Sequence, residues 1–469
     1  MTLTRLLLLS LLLAMVSVIT SCSSLPEAEQ LILDNSNVPQ NWQPLAASSE
    51  SQANQPISTF ATSTIATTKL TDLVQLDGLE STLAKALKHN PDLQQTALAL
   101  RIAEAQVGVS RAAQLPTANL GLEHSARQDQ AKQYSASISV SWTLDLSQKL
   151  RDNKLASKAE LAASAASFQG ARDLLAANII NSQLLITREQ QLIAIERSKL
   201  KVLEQNELAV VERYRQGLGT LAELDTARAN TESSRASLVA LIENLAVAKR
   251  SLSLLVGDKA FAAKAFQANQ AGQFPAVMAP LTTLPKQDLA RRPDLQQAYQ
   301  QIISNEYQAK VAYKALLPEL SIKASLTDSD GNLSQALFKD PVWAVLSSLT
   351  APLFQGGKLK AQAKIADLTK EQSYWQYQSI LLTAVNEIEN ALAQERALVQ
   401  QQQHIHLALE NAERSSAIYL EKYRQGLVTL LALLQIQQQS FSLQSQLTEL
   451  TYQGLTNRIN LGLALGLGV

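Results

Sequence analysis

The sequence predicts a mainly α-helical, internally duplicated protein with a smaller β portion suited to a membrane. Three observations predict this class. A series of landmarks occurs twice in the same order, long stretches contain no proline, and short regions alternate between polar and apolar residues. The first indicates two repeats, the second long helices, and the third strands with two unlike faces. With 469 residues, the chain is long enough to hold all of these elements.

The composition favours long helices and argues against one broad class of function, nucleic-acid binding. Lys plus Arg and Asp plus Glu both number 41, so the net charge is near zero. A nucleic-acid-binding protein would normally show a basic excess. Aromatic residues make up only 5%, whereas Ala, Leu, Gln and Ser dominate. This composition is typical of long helices rather than of a compact core.

The N-terminus has the pattern of a secretory signal. An apolar run follows Arg5, and it is too short and too close to the start for a spanning helix. We therefore expect residues 1–21 to be a signal peptide. The run ends in Ile-Thr-Ser-Cys at 19–22, which resembles the bacterial lipobox, where the cysteine becomes the acylated first residue. The alternative is an ordinary signal peptide with an incidental cysteine.

Cys22 is the only cysteine in the chain, so no intrachain disulfide can form. Several acyl chains on this residue would give stable anchoring. By resemblance to the lipoprotein sorting rule, Ser23 favours the outer membrane. The following residues are rich in Ser, Thr, Asn and Pro, so we expect 22–78 to be a lipid-anchored, extended segment without its own core.

The internal duplication is marked by pairs of short motifs. The sequence Asn-Pro-Asp-Leu-Gln-Gln at 90–95 recurs as Arg-Pro-Asp-Leu-Gln-Gln at 292–297, and Leu-Pro at 115–116 recurs at 317–318. Farther along, Tyr-Arg-Gln-Gly-Leu occurs at 214–218 and again at 423–427. The order of these landmarks predicts two structural repeats, which we place at 79–284 and 285–469.

Each repeat contains a long helical hairpin. Proline is absent from 117–274 and from 353–469. The stretch from Lys149 to Tyr214 would form a helix of roughly 100 Å at 1.5 Å per residue. Gly217 and Gly426 can take the left-handed conformation that ends a helix, and Thr220 and Thr429 can cap the next one. We therefore place the hairpin tips at about 214–220 and 423–429.

Two strands precede the long helix of each repeat. Serines at 135, 137, 139 and 141 alternate with Ala, Ile, Val and Trp, which predicts a strand with one polar and one apolar face. The same reasoning, with a weaker alternation in the last strand, predicts four strands in the chain. They lie at about 117–126, 134–146, 319–327 and 342–350. Their lengths approach the 9–11 residues that a tilted strand needs to cross a bilayer.

Four strands cannot close a membrane barrel alone, because the open edges would leave backbone groups unpaired in lipid. Two copies would give an eight-stranded barrel with a filled interior, whereas three copies give twelve strands and a hollow one. The alternative is a soluble pair of hairpins packed on helices.

The ordered landmarks resemble those of the TolC-like outer-membrane efflux proteins, especially the outer membrane factor lipoproteins of tripartite resistance pumps. The resemblance covers nearly all of 75–469. It implies a homotrimer in which a 12-stranded β-barrel in the outer membrane continues as a periplasmic α-barrel. It also implies a passive duct that receives small molecules from a periplasmic adaptor protein and an inner-membrane efflux pump.

Site residues follow from the same resemblance. The adaptor-contacting tips would include Tyr214, Arg215, Gly217, Thr220, Tyr423, Arg424, Gly426 and Thr429. For the two tyrosines, packing within the tip is the alternative. The gate would include Asp225, Leu430, Leu433, Leu434 and Gln435. Relatives often have an aspartate where Gln435 stands, which favours a Leu/Gln constriction here. Ordinary helix packing is the alternative for Leu433 and Leu434, and a cap or ion-pair role is the alternative for Asp225.

The sequence lacks the motifs of an enzyme, a cofactor site or a metal site. His404 and His406 are two residues apart on a predicted helix and therefore point to different faces. No HExxH, CxxC or nucleotide-binding glycine loop is present. The competing hypothesis is a structural coiled-coil envelope lipoprotein without channel activity, which would not need the alternating strands. The sequence does not identify the transported compound.

Overall fold

The structure, a computed structural model, describes residues 69–128, 131–261, 272–275 and 289–469. The predicted signal peptide, Cys22 and most of the segment 22–78 lie outside these residues. The helices are α1 (Leu79–His89), α2 (Pro91–Ala112), α3 (Lys149–Arg215), α4 (Leu221–Val256), α5 (Pro293–Lys314), α6 (Lys358–Arg424) and α7 (Leu430–Ala464). The strands are β1 (Thr117–Ser125), β2 (Gln133–Leu144), β3 (Glu319–Asp330) and β4 (Val342–Thr350).

The two longest helices, α3 and α6, have 67 residues each, or about 100 Å at 1.5 Å per residue. The helix α3 follows Gln148, whose φ is 60°, and α6 follows Gly357, whose φ is 85°. The Asp145 carboxylate accepts hydrogen bonds from the backbone N–H groups of Leu150 (3.0 Å) and Arg151 (2.8 Å). These bonds satisfy two of the free donors in the first turn of α3. Within the described residues, none of the helices combines the length and hydrophobicity that a membrane crossing requires.

The helices α2 to α7 pack side by side as one layer, and α1 packs against α3 and α4. Both α5 and α7 pack in the space between α3 and α6, while α2 and α4 pack against α3. Since α5 and α7 both belong to the second repeat and pack against α3 of the first, the two repeats are joined in one continuous layer. The layer consequently has two open edges, one formed by α2 and α4 and the other by α6.

The packed core lies near the middle of α3. Ile179, Ile180 and Leu184 of α3 are fully buried against residues of α1, α4 and α7. A short 3-10 helix, Leu70–Asp72, lies over α7, where Gly462 leaves room for it. A side chain at Gly462 would place its Cβ 2.4 Å from Leu73 Cδ1. This junction fixes the start of the described chain near its C-terminal end.

The four strands form one antiparallel sheet in the order β1-β2-β3-β4. The sequence places the second strand at 134–146, whereas β2 ends at Leu144 and the chain turns before α3. It places the third strand at 319–327, whereas β3 continues to Asp330. The polar run at the end of β3 is typical of a loop, but its backbone still pairs with Tyr134 and Ser135. Backbone pairing does not depend on apolar side chains at those positions.

Candidate functional site

The register of the sheet separates an apolar face from a polar one. Residues directly opposite each other in antiparallel strands lie on the same face. Rows of one face are Leu120–Ile138–Leu326–Trp343, Ala118–Val140–Ala324–Val345 and Leu144–Leu320–Leu349. Rows of the other are Asn119–Ser139–Ser325–Ala344 and Thr143–Ser321–Ser348. The strand β4 departs from the pattern, since it also contributes Val342 and Leu346 to the polar face.

The apolar face of the sheet is exposed. Leu120 is 66% exposed and Trp343 is 75% exposed, and no described helix packs along either face. A soluble sheet would cover such a face with helices. The hypothesis of soluble hairpins packed on helices is therefore wrong for the described residues. An exposed apolar face opposite a serine-rich one suits a sheet with lipid on one side and water on the other.

Aromatic side chains lie near both ends of this sheet. Tyr134, near the loop end of β2, packs its ring 4.6 Å from that of His124. Trp142, near the helical end, donates from Nε1 to the Gln114 carbonyl over 3.0 Å. Tyr134 and Trp142 are eight residues apart, which corresponds to about 26 Å at roughly 3.3 Å per residue. Membrane barrels have an apolar band of about 25 Å flanked by aromatic girdles, so the spacing fits one bilayer crossing.

The protomer has two unlike open edges. One carries β1 and α2, where exposed Leu98, Ile102 and Val109 form an apolar stripe. The other carries β4 and α6, where the exposed apolar residues are Ile365, Leu368, Trp375 and Leu382. The last three are seven residues apart, which is the repeat of a helix–helix seam. Among the described residues, both the sheet and the helical layer therefore lack a partner at each edge.

The duplicated Pro-Asp-Leu motifs close equivalent junctions. Asn90 Nδ2 donates to the Leu255 carbonyl at the end of α4, over 2.9 Å. At the matching position, Arg292 Nη1 donates to the Ala464 carbonyl at the end of α7, also over 2.9 Å. Each bond satisfies a free carbonyl at a helix terminus. The residue before each proline thus joins the returning helix of one hairpin to the helix that leads toward the membrane sheet.

Arg292 also gathers two carboxylates. Its Nη2 lies 2.7 Å from Asp294 Oδ2 and 2.9 Å from Glu387 Oε2. Burial alone disfavours the charged form of Asp294, but the hydrogen bonds and charge of Arg292 outweigh it and lower the pKa of this carboxyl. The pairing with Glu387 could not be predicted from the sequence, because Glu387 lies on α6, 95 residues from Arg292. The ion pair therefore ties the start of α5 to α6.

The two hairpin tips have nearly the same geometry. Gly217 and Gly426 both have φ of 73°, as the sequence predicts for residues that end α3 and α6. The Thr220 hydroxyl accepts from Glu223 N, and the Thr429 hydroxyl accepts from Ala432 N, each over 3.3 Å. The predicted caps are thus confirmed. The two tips present the same backbone shape twice in each protomer.

The predicted tip side chains differ in their surroundings. Arg215 and Arg424 are exposed, as is Tyr214. Tyr423 is half-buried, because Arg213 of the first tip lies over its ring at 5.7 Å and donates to its hydroxyl over 3.4 Å. For Tyr423 the packing interpretation therefore fits the structure. Arg213 itself was not singled out from the sequence, since it precedes the recognisable motif.

The predicted gate residues fall into two groups that differ in burial. Leu430, Leu433 and Leu434 are buried, and Leu430 and Leu434 pack with Val210 and Leu224 of the first hairpin. This burial fits ordinary helix packing, the alternative for Leu433 and Leu434. Asp225 and Gln435 are exposed. Asn206 Nδ2 donates to Gln437 Oε1 over 2.9 Å nearby, which also ties the hairpins together.

Across the described ranges, no three His, Cys, Asp or Glu side chains converge as metal ligands. His406 lies 3.4 Å from Glu410, one turn along α6.

These surfaces define a class of protein in which membrane-embedded strands continue into long helices. The family model of the outer membrane efflux proteins matches residues 82–258 and 284–467, and the chain belongs to this family. The two matched ranges contain the two sets of strands and helices. The chain is thus an outer-membrane protein with the internal duplication seen in the structure.

Individual proteins show the same likeness. The chain is 26% identical to the probable outer membrane lipoprotein SilC of Salmonella typhimurium, over 82% of this chain and 85% of that one. It is 28% identical to the pyoverdine export outer membrane protein OpmQ of Pseudomonas aeruginosa, over 83% and 85%. The open-state MtrE outer membrane channel of Neisseria gonorrhoeae has a TM-score of 0.75 at 22% identity, covering 91% of this chain and 97% of that one. The structural likeness shows the fold.

Proposed function

We propose that the chain is one protomer of a passive trimeric duct that carries small molecules across the outer membrane in a tripartite efflux system. The observation that supports this most is the sheet, which exposes an apolar face, opposes it with a serine-rich face and is open at both edges. Such a sheet needs lipid on one side, water on the other and partner strands at its edges.

The two edges favour a closed ring. The edge with β1 and α2 differs from the edge with β4 and α6, so one copy joins the next head to tail. Head-to-tail contacts form rings when the rotation closes. Three copies of four strands make a twelve-stranded barrel that can be hollow, unlike an eight-stranded one. The apolar stripes on α2 and α6 would meet at the same contacts and continue the ring into the periplasm.

The tips are the proposed contact with a periplasmic adaptor protein. Since both tips share one backbone geometry, a trimer would present six similar sites. Arg215 and Arg424 are exposed at corresponding positions, as are Leu218 and Leu427. Arginine donates directional hydrogen bonds, and exposed leucines supply apolar contact area. Gly217, Gly426, Thr220 and Thr429 would set the shape that the adaptor meets, and an inner-membrane pump would supply the energy.

The aperture is proposed at Asp225 and Gln435. Both are exposed and lie within two turns of their tips on α4 and α7. The buried leucines nearby hold the hairpins together, so they set the position of these polar residues without lining the passage. Lipidation at Cys22 is a separate proposal that supports anchoring in the membrane.

Two measurements test the duct. The purified full chain should have the mass of a trimer in detergent and should give ion-conducting events in planar bilayers. A coiled-coil envelope lipoprotein without channel activity would give neither a heat-modifiable barrel on gels nor conductance. A folded monomer that never conducts would overturn the proposal.

A further inference from the structure

A cleft of about 790 Å³ lies where α7 ends and α5 begins, between α3 and α6. Ligand sites commonly occupy about 300–1,000 Å³. Gly170, the one glycine of α3, lies in its lining next to Pro293, and a Cβ there would approach Pro293 Cβ to 3.3 Å. The duct itself does not require a cavity at this place.

The cleft has an excess of acidic groups over basic ones. Asp294 and Glu387 line it with side chains 44% and 48% exposed, and both share the single guanidinium of Arg292. Asp173 adds a third carboxyl that is almost fully buried and accepts from Gln169 and from the Val469 backbone. Burial raises the pKa of the Asp173 carboxyl, so the negative charge that attracts cations comes from Asp294 and Glu387 beside one arginine.

The remaining polar lining consists largely of amides. Gln297, Gln394 and Asn460 line the cleft, are exposed, and show no side-chain hydrogen bond to other described residues. An amide supplies both donors and an acceptor, so it can bind amine and hydroxyl groups. These three side chains have no evident structural role, because no described neighbour depends on them.

The cleft lies on the face of the helical layer away from the core at α1. On α7, Leu455 and Ile459 belong to that core, whereas Asn457 and Ala464 line the cleft. Successive helical residues are turned by about 100°, so Asn457 and Ala464 point away from Leu455 and Ile459. On α6, the cleft residues also lie off the stripe of Leu368, Trp375 and Leu382. A neighbouring protomer on that stripe would leave the cleft open.

We infer that this cleft is a transit subsite for solutes that carry ammonium groups, with one copy facing the lumen in each protomer. The inference rests on the proposed duct. Gly170 is 21 residues into α3, so the subsite would lie about 32 Å from the membrane end of that helix. Binding is expected to be weak, because the charges are partly exposed and a duct must release what it binds.

Spermidine serves as the probe, and its block of the current through single trimers is measured at low ionic strength, where screening is weakest. Glu387→Gln removes one cleft carboxylate. Glu389→Gln is the matched control, since Glu389 is exposed two residues further along α6 and does not line the cleft. The half-blocking spermidine concentration should rise about two- to fivefold in Glu387→Gln, the range expected for one exposed ion pair. It should stay unchanged in Glu389→Gln.

The outcomes separate the subsite from the duct. If wild-type trimers carry no current, the proposed function fails. If they conduct and both variants are blocked like the wild type, the subsite is overturned while the duct stands. If Glu387→Gln does not assemble, the double variant Gln394→Leu, Asn460→Leu decides instead, because these amides bond to no described residue. Weaker spermidine block in it supports the subsite, and unchanged block overturns it.

Discussion

At the scale of single residues, the two repeats form equivalent helix junctions with different side chains. Asn90 bridges to the end of α4 with a neutral amide, and it also caps α2 by accepting from Leu93 N over 2.8 Å. Arg292 bridges to the end of α7 with a charged group that is itself buried. The arginine also links the junction to α6 through Glu387. Its buried charge, however, must be balanced by the carboxylates of Asp294 and Glu387.

Replacing Arg292 tests this difference. Arg292→Leu leaves the Ala464 carbonyl and two carboxylates without their donor, so we expect a loss of about 1–3 kcal/mol, moderated by the exposure of both carboxylates. Arg292→Asn should lose less, because asparagine can repeat the bond that Asn90 makes. The stability losses of the two variants are compared by thermal unfolding, followed by the helical circular dichroism signal. Equal losses in the two variants would contradict this account.

Glu189 is a second residue whose surroundings determine a prediction. Its side chain is 4% exposed, and its Oε2 has no hydrogen-bond partner among the described residues. Arg188 pairs with Glu189 and, over 2.5 Å, with Glu449. Burial raises the pKa of the Glu189 carboxyl, Arg188 opposes the shift, and Glu449 adds to it.

A raised pKa in the folded state means that the folded chain holds this proton more tightly than the unfolded chain. Stability from Glu189 is therefore present below the unfolded pKa of about 4.3 and is lost as pH rises through the higher folded value. Glu189→Gln should thus gain stability relative to wild type between pH 4 and pH 7, measured by thermal unfolding at both. The exposed Glu410→Gln should show no such gain. The prediction would be contradicted if the stability difference between Glu189→Gln and wild type were the same at pH 4 and pH 7.

At the scale of elements, the hairpin tips depend on backbone conformation more than on side-chain contacts. Gly217 and Gly426 take a conformation that costs other residues roughly 1–2 kcal/mol. Gly217→Val should therefore loosen the first tip while leaving the distant sheet unchanged. Hydrogen exchange should show faster labelling at 212–224 and unchanged labelling in β1 to β4. Faster exchange throughout the chain would instead indicate a global loss of stability.

The aperture gives an element-scale test that separates lining from packing. Cys22 is the only native cysteine, so a cysteine at a chosen position reports on local access once Cys22 is acylated or replaced. Gln435→Cys should react with a charged thiol reagent from the periplasmic side and lower the conductance, because Gln435 is exposed. Leu433→Cys should react much more slowly, because Leu433 is buried. Faster reaction at Leu433→Cys than at Gln435→Cys would indicate that the leucines line the aperture.

The same comparison shows how far the sequence determines this structure. Proline-free stretches, glycine stops and threonine caps are local signals, so they predict the helices and tips well. The alternation in 135–142 also predicts the two faces of the sheet. The rotation of α7 is different, because packing against Val210 and Leu224 decides which side of the helix is buried. A sequence motif locates a residue along a helix. Whether that residue lines a gate depends on which face of the helix it occupies, and packing between helices decides that.

At the scale of the whole molecule, the two open edges of the layer have no packing partner within the described part of the chain. The stripe on α2 and the stripe on α6 are apolar, exposed and on opposite edges of the layer. Monomeric proteins rarely expose contiguous apolar surface on this scale. Because the edges differ, we expect each to pack against the opposite edge of another copy.

This argument predicts that either edge alone can break the assembly. Ile102→Asp and Trp375→Asp each put a charge into an apolar contact, so each should shift the chain from trimer toward monomer in native mass spectrometry. The conservative variants Ile102→Leu and Trp375→Phe should remain trimeric, because they keep an apolar side chain. Mixing the two aspartate variants should restore only partial assembly, since every ring needs both edges from each copy. Unaltered trimers in both aspartate variants would mean that these stripes are not the contact.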